Sequence, residues 1–124
     1  MTPNEVYFFD TYAYFEIIRG NPRYKQYQYV IPVTTIFNLA ELNYGLKKEL
    51  DKKTADEITD QYDCHVLDVH ADIIKEAMDL KHKNKQLSIP DAVGYTVARK
   101  LGIKFLTGDE AFRNFENVEF VKKD

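Results

Sequence analysis

Four carboxylates in this sequence stand where a buried framework would bring them together. Asp10 directly follows Val6-Tyr7-Phe8-Phe9, and Glu41 lies in the run Thr35-x-x-Asn38-x-x-Glu41-Leu42. Asp91 follows Pro90, and Asp109 closes Leu106-Thr107-Gly108-Asp109. Acids gathered in one cleft repel unless they take up protons or hold a cation, because like charges a few ångströms apart raise each other's pKa. Oxygen ligands with no fitting Cys or His beside them select Mg²⁺ or Mn²⁺ over zinc, and such ions clamp phosphates. Each acid taken alone has a plainer use. Asp10 could cap a helix starting at Thr11, and Asp91 is the fourth residue of Ser88-x-x-Asp91, close to a capping-box start. Asp109 could serve a turn, and Glu41 could be a solvated helix-edge residue. Thr11 and Thr107 flank two of the acids, and their hydroxyls could orient a carboxylate or satisfy a nearby backbone group.

The elements that would position these acids follow from hydrophobic spacing. Val6 to Phe9 is apolar on consecutive positions, the pattern of a strand buried on both faces. Thr11 to Arg19 predicts a helix with Tyr14, Phe15, Ile17 and Ile18 inward, ended by Gly20-Asn21-Pro22. Residues 23–29 fit either a short helix or a flap. Val30-Ile31-Pro32-Val33 predicts a short strand, its Pro pointing to an edge or a strand end. Thr34 or Thr35 would cap a helix to about Leu50, with Ile36, Leu39, Ala40, Leu46 and Leu50 as the core stripe and Glu41 about 40° beyond Phe37, just outside it. Lys52 to Tyr62 predicts a polar helix, 65–69 a strand, and Asp72 to Lys83 a helix with Ile73, Ile74, Ala77 and Leu80 inward. Asp91 would open a helix packed through Val93, Val97, Ala98 and Leu101. Ile103 to Leu106, a turn of helix near 110–115 and a last strand over 118–121 complete the chain. Short apolar strands alternating with helices predict a three-layer α/β/α sandwich around a central parallel sheet. Ligands of such sheets bind beyond the carboxyl ends of the strands, where Asp10 and Asp109 both fall.

Composition sets the bounds. The 124 residues fit one domain, able to bury roughly two-thirds of its unfolded surface without disulfides. The net charge of −3 is not the footprint of a basic nucleic-acid binder, although bound cations reverse the local field of an acidic cleft. A single Cys points to a reducing compartment. With no signal-like start and no apolar run near 18 residues, the expectation is a cytoplasmic protein without a membrane segment.

Several chemistries are excluded. The five glycines match no nucleotide-binding fingerprint, and Ser or Cys nucleophiles lack a base partner. An aspartyl-nucleophile phosphatase would carry a second Asp two residues after Asp10, where Tyr12 stands. His70-x-Asp72 has no further zinc ligands at fitting spacing.

The arrangement of Asp10-Thr11, of Glu41 in its helix, and of Pro90-Asp91-Ala92 through Ala98-Arg99-x-Leu101-Gly102-Ile103 to Thr107-Gly108-Asp109-x-x-Phe112 resembles the PIN-domain family, in particular its small VapC-like toxin ribonucleases. The resemblance spans the whole chain, most specifically Asp91 to Phe112. Between 51 and 85 it holds only in layout. It implies a parallel sheet sandwiched by helices and Mg²⁺- or Mn²⁺-dependent cleavage of RNA. By position, the family's acidic site residues fall on Asp10, Glu41, Asp91 and Asp109, and its small hydroxyl on Thr107. The resemblance also implies a small antitoxin partner and a homodimer, contacts that Ile17, Phe37 or Leu50 could serve if they are not core. A catalytically silent PIN-like module that binds RNA or protein is the alternative. Lys81, Lys83 and Lys85 could grip RNA phosphates beside the cleft or complement a helix C-terminus. Tyr24, Tyr27 and Tyr29 could stack bases or pack into the core.

Overall fold

A computed structural model describes residues 5–124. The leader-like features sought at the amino end fall partly on residues 1–4, outside the described residues. Val6–Phe9 forms β1, followed by α1 (Thr11–Ile18), a 3₁₀ segment over Pro22–Tyr29, β2 (Ile31–Thr35) and α2 (Ile36–Glu49). Then come α3 (Lys52–Gln61), β3 (Val66–Leu67), α4 (Ala71–Lys83), α5 (Ile89–Leu101), β4 (Lys104–Thr107) and β5 (Val118–Phe120). The five strands form one parallel sheet in the order β3-β2-β1-β4-β5, so the α/β sandwich expected from the sequence is the one observed.

Strand alternation divides the core. Tyr7, Phe9 and Leu106 face one cluster, with Tyr14, Tyr24, Tyr27, Leu42 and Leu46. Phe8 and Phe105 face the other, with Tyr95, Val97, Ala98 and Phe112. A third cluster, Ala77, Ala92 and Val93, joins α4 to α5. Enclosed by sheet and neighbouring helices, α5 is buried from Asp91 through Ala98, but Leu101, expected inward, is 52% exposed. The helix has by then run past the sheet, and Gly102 ends it in the left-handed conformation, φ +67°.

The inward stripe of α2 differs from the expected one. Buried here are Asn38, Leu39, Leu42 and Leu46, whereas Ile36 is 54% exposed and Ala40 and Leu50 also face solvent. The helix is rotated by roughly 75° on a 100°-per-residue wheel because Leu42, absent from the expected stripe, joins Leu39 and Leu46 on the inward face, and Asn38 lies on that face with them. The predicted strand over 65–69 shortens to two paired residues. β2 is therefore internal only where β3 reaches it, at Thr34 and Thr35. Ile31 N–H points to Glu5 O across the β1 side (2.7 Å), so alternation directs the Pro32 nitrogen, which lacks a hydrogen, to the side left open.

Gly94 sets how closely α5 approaches β1. A Cβ there would stand 2.8 and 2.9 Å from ring atoms of Phe8. Gly94→Ala is therefore expected to destabilise the fold by about 1–3 kcal/mol through overpacking, read as a lower urea midpoint at unchanged slope.

Candidate functional site

The strand order reverses between β1 and β4: chain connections leave β1 toward β2 and β3 on one side and reach β4 and β5 on the other. At such a point the flanking connections diverge and leave a crevice beyond the strand ends. The register pairs Phe9 with Leu106, and Asp10 N–H donates to Leu106 O (3.1 Å). Asp10 and Thr107 are consequently the next residues outward, side by side at the crevice floor.

Asp10 is 2% exposed. Its Oδ2 accepts from Thr107 Oγ1 at 2.7 Å, while Oδ1 is buried without a hydrogen-bond partner among the described residues. Asp10 occupies the N-cap position of α1 without capping it by its side chain, so the plainer use open to it in the sequence is not realised. Burial, then the neighbouring Asp91 charge, push its carboxyl well above the usual carboxylate range, with Glu41 adding to the push and the Thr107 hydroxyl opposing it.

Asp91 is held differently. Its backbone N–H donates to Ser88 Oγ (3.2 Å) and its Oδ2 accepts from Ser88 N–H (3.0 Å), a complete capping box at the start of α5. Burial is the main cause raising its carboxyl to about 6; Ser88 N–H works against this, and Asp109 and Glu41 add to it. Asp109 caps the turn Glu110–Phe112 by accepting from Ala111 N–H (3.0 Å), and its own N–H donates to Thr107 Oγ1 (3.1 Å). Glu41 lies half-buried on α2, within electrostatic reach of Asp10 and Asp91.

Asp10, Glu41, Asp91 and Asp109 thus share one electrostatic environment, with Asp91 linked to each of the other three. They do not form a closed cage: among the described residues, no group of three or more His, Cys, Asp or Glu side chains is gathered so as to hold a metal ion. Two of the four, Asp91 and Asp109, use carboxylate oxygens on helix starts. The feature that fits a cation is Asp10 Oδ1, a buried acceptor with its lone pairs unused inside a field of like charge; such an oxygen is costly to leave unmatched.

The two threonines separate in role. Thr107 is shared between Asp10 and the Asp109 backbone. Thr11 turns away, accepting from Asn38 Nδ2 (3.2 Å) and donating to Asn38 O (3.5 Å), so the backbone-satisfying use holds for Thr11. Lys81 Nζ donates to Leu87 O (2.7 Å), pinning the turn between α4 and α5. Lys83 and Lys85 remain exposed. Tyr24 and Tyr27 are core residues with their hydroxyls on Val121 O (2.5 Å) and Glu119 Oε2 (2.7 Å), leaving Tyr29 as the exposed one. Of Ile17, Phe37 and Leu50, the first two pack partly against core clusters and Leu50 is exposed. His70 and Asp72 are both exposed and join no metal-ligating group among the described residues.

Sequence reasoning did not foresee the burial of Asn38 and Thr34, or of Glu16 farther along α1. Thr34 Oγ1 donates to Phe9 O (3.1 Å), tying β2 to the residue before Asp10. Glu16 is matched by Arg19 and Asn21. The available signal was the position of Asn38 three residues after a capping Thr35 and three before Glu41.

The model of the family described as "PIN domain" matches residues 7–118 of the chain. No curated protein matches by sequence. Among solved structures, a toxin–antitoxin complex from Klebsiella pneumoniae aligns with TM-score 0.71 at 19% identity, over 94% of this chain and 97% of that one. VapBC2 from Rickettsia felis, bound to a promoter DNA fragment, aligns with TM-score 0.68 at 17% identity, over 94% and 98%. VapBC-1 from nontypeable Haemophilus influenzae aligns with TM-score 0.70 at 14% identity, over 95% and 98%.

Proposed function

Because the chain belongs to the PIN-domain family, we propose that it is an Mg²⁺- or Mn²⁺-dependent endoribonuclease of the VapC-like kind, the toxin of a toxin–antitoxin pair. The observation that carries this reading is Asp10, buried at the β1–β4 crevice with one oxygen held by Thr107 and the other unpartnered, in the field of Asp91 and Glu41. Asp10 would be the principal ligand, with Asp91, Asp109 and Glu41 completing the set as their carboxylates turn toward the cation. Bound Mg²⁺ or Mn²⁺ supplies Lewis acidity toward the scissile phosphate and acidifies the attacking water. The protein's part is to orient. Thr107 fixes the Asp10 carboxylate, the Asp91 capping box sets the start of α5, and Glu41 at the lip can accept a proton from water. Lys83 and Lys85 would meet RNA phosphates outside the crevice.

The Klebsiella pneumoniae structure aligned above is a toxin–antitoxin complex, which favours a small antitoxin partner here; a homodimer and a cytoplasmic location belong to the same reading. Among the described residues no helix is long and apolar enough to cross a membrane. One observation favours a second reading, a silent PIN-like module that binds RNA or protein: the acids are not gathered into a metal cage. The two separate experimentally. A nuclease should cut RNA with Mg²⁺ or Mn²⁺, stop with EDTA, and rise in melting temperature on Mn²⁺ titration. RNA left intact in Mn²⁺ with an unmoved melting temperature would establish the silent module.

A further inference from the structure

Asn38 is 1% exposed, and both polar atoms of its side chain are used. Thr35 Oγ1 donates to Asn38 Oδ1 (2.7 Å), and Asn38 N–H donates back to Thr35 Oγ1 (3.3 Å). Asn38 Nδ2 donates to Thr11 Oγ1 (3.2 Å). On its remaining side, a Cβ built on Gly94 would stand 3.3 Å from Asn38 Oδ1. One amide therefore touches the end of β2, the first residue of α1 and the inner face of α5. Thr11 directly follows Asp10. Glu41 lies three residues beyond Asn38 on α2, and Asp91 three residues before Gly94 on α5, each less than one helical turn away.

A buried amide in this position costs free energy unless every group is matched, and an apolar residue would fill the same space without that requirement. The cost has a return in geometry, since hydrogen bonds fix distance and direction where apolar contacts allow sliding. We propose that Asn38 is a positioning residue for the acidic site, setting the spacing of Asp10 and Glu41 by hydrogen-bonding α2 to the start of α1 and the end of β2, while α5, which carries Asp91, packs close against the same amide. This inference rests on the nuclease reading above. Asn38 touches no substrate and no reacting atom, and its effect passes through the three acids.

The test compares Asn38→Ala with Leu46→Val, a control on the same helix in the core away from the acids. Mn²⁺ affinity is measured by titration calorimetry, melting temperature in EDTA, and kcat and KM on RNA. The expected result is Mn²⁺ binding weakened by about tenfold or more in Asn38→Ala, as for other residues that orient metal ligands, with kcat reduced and KM little changed. Leu46→Val should lower the melting temperature and leave Mn²⁺ affinity at the wild-type value. If Asn38→Ala does not fold, Thr11→Val removes the partner of Asn38 Nδ2 in a nearly isosteric way and should show the same loss. Unchanged Mn²⁺ affinity in the folded variant, beside a wild type that binds Mn²⁺, would overturn the positioning role alone. A wild type that binds no Mn²⁺ would overturn the nuclease reading and the positioning role with it.

Discussion

Asp10→Asn is expected to reduce RNA cleavage by on the order of a thousandfold, equivalent to about 4 kcal/mol of transition-state stabilisation, and at the same time to raise the melting temperature of the metal-free protein. Both effects come from one oxygen. Asp10 Oδ1 is buried and unpartnered beside Asp91 and Glu41, an arrangement that costs stability in the absence of a cation and provides the negative charge a cation needs. An Asn side chain keeps the carbonyl acceptor for Thr107 Oγ1 and places an amide donor where the orphaned oxygen stood. Relief of an uncompensated buried charge is worth a few kcal/mol, several degrees in a domain of this size. In Mn²⁺ the order should invert, with the wild type gaining stability and the variant not. RNA cleavage retained in Asp10→Asn would remove Asp10 from the site.

The second large effect concerns pH. Folded-state carboxyls raised above their unfolded values bind more protons in the native state, so they contribute stability that is present at acid pH and lost as pH rises through the folded pKa. Asp91 is raised to about 6, and Asp10 lies above the usual range as well. In EDTA the protein should therefore be more stable near pH 5 than near pH 7.5, the Asp91 share of that difference amounting to about 1 kcal/mol. His65 acts in the opposite sense, because burial lowers its pKa and its protonation at acid pH opposes folding. Asp91→Asn isolates the carboxyl: in denaturant titrations, the stability difference between the two proteins should shift by about 1 kcal/mol in favour of the variant from pH 5 to pH 7.5, the His65 contribution being common to both. Parallel curves from pH 5 to pH 7.5 would show that Asp91 carries no such penalty. Saturating Mn²⁺ should flatten the wild-type curve, because a cation stabilises the same ionised carboxylates that acid removes.

The strands were legible because burial on two faces leaves continuous apolar runs, as at Val6 to Phe9 and around Phe105. The acids were legible because each sits where such a run or a helix begins or stops. What could not be read was the polar interior. Asn38 looks like a surface residue to any count of apolar spacing, and only the hydroxyls of Thr11 and Thr35, brought in from two other elements, make its burial affordable. With Asn38 set outside and Leu42 left out, the expected stripe of α2 was displaced toward Ile36, Ala40 and Leu50. The dual use of Asp91 was visible in outline as Ser88-x-x-Asp91, yet spacing alone could not show that capping and site membership coincide in one carboxylate. Lys81 looked like part of a free basic run because nothing in its neighbours announces a backbone acceptor at Leu87. Tyr24 and Tyr27 found their hydroxyl partners in the last strand and beyond it, more than ninety positions along the chain.

The pairing of Tyr7 with Lys104 across the sheet also has a consequence for biosynthesis. Local segments such as α1 and α2 can form early, but contacts of this sequence separation close late in folding, and a chain emerging from the ribosome at roughly 5–20 residues per second lacks β4 until most of it has been made. Asp10 is thus translated long before it acquires Thr107 as its anchor, and the crevice exists only once the final part of the polypeptide is available. Unfinished chains would be without a complete centre, so the nuclease activity proposed above would be withheld until synthesis is nearly complete.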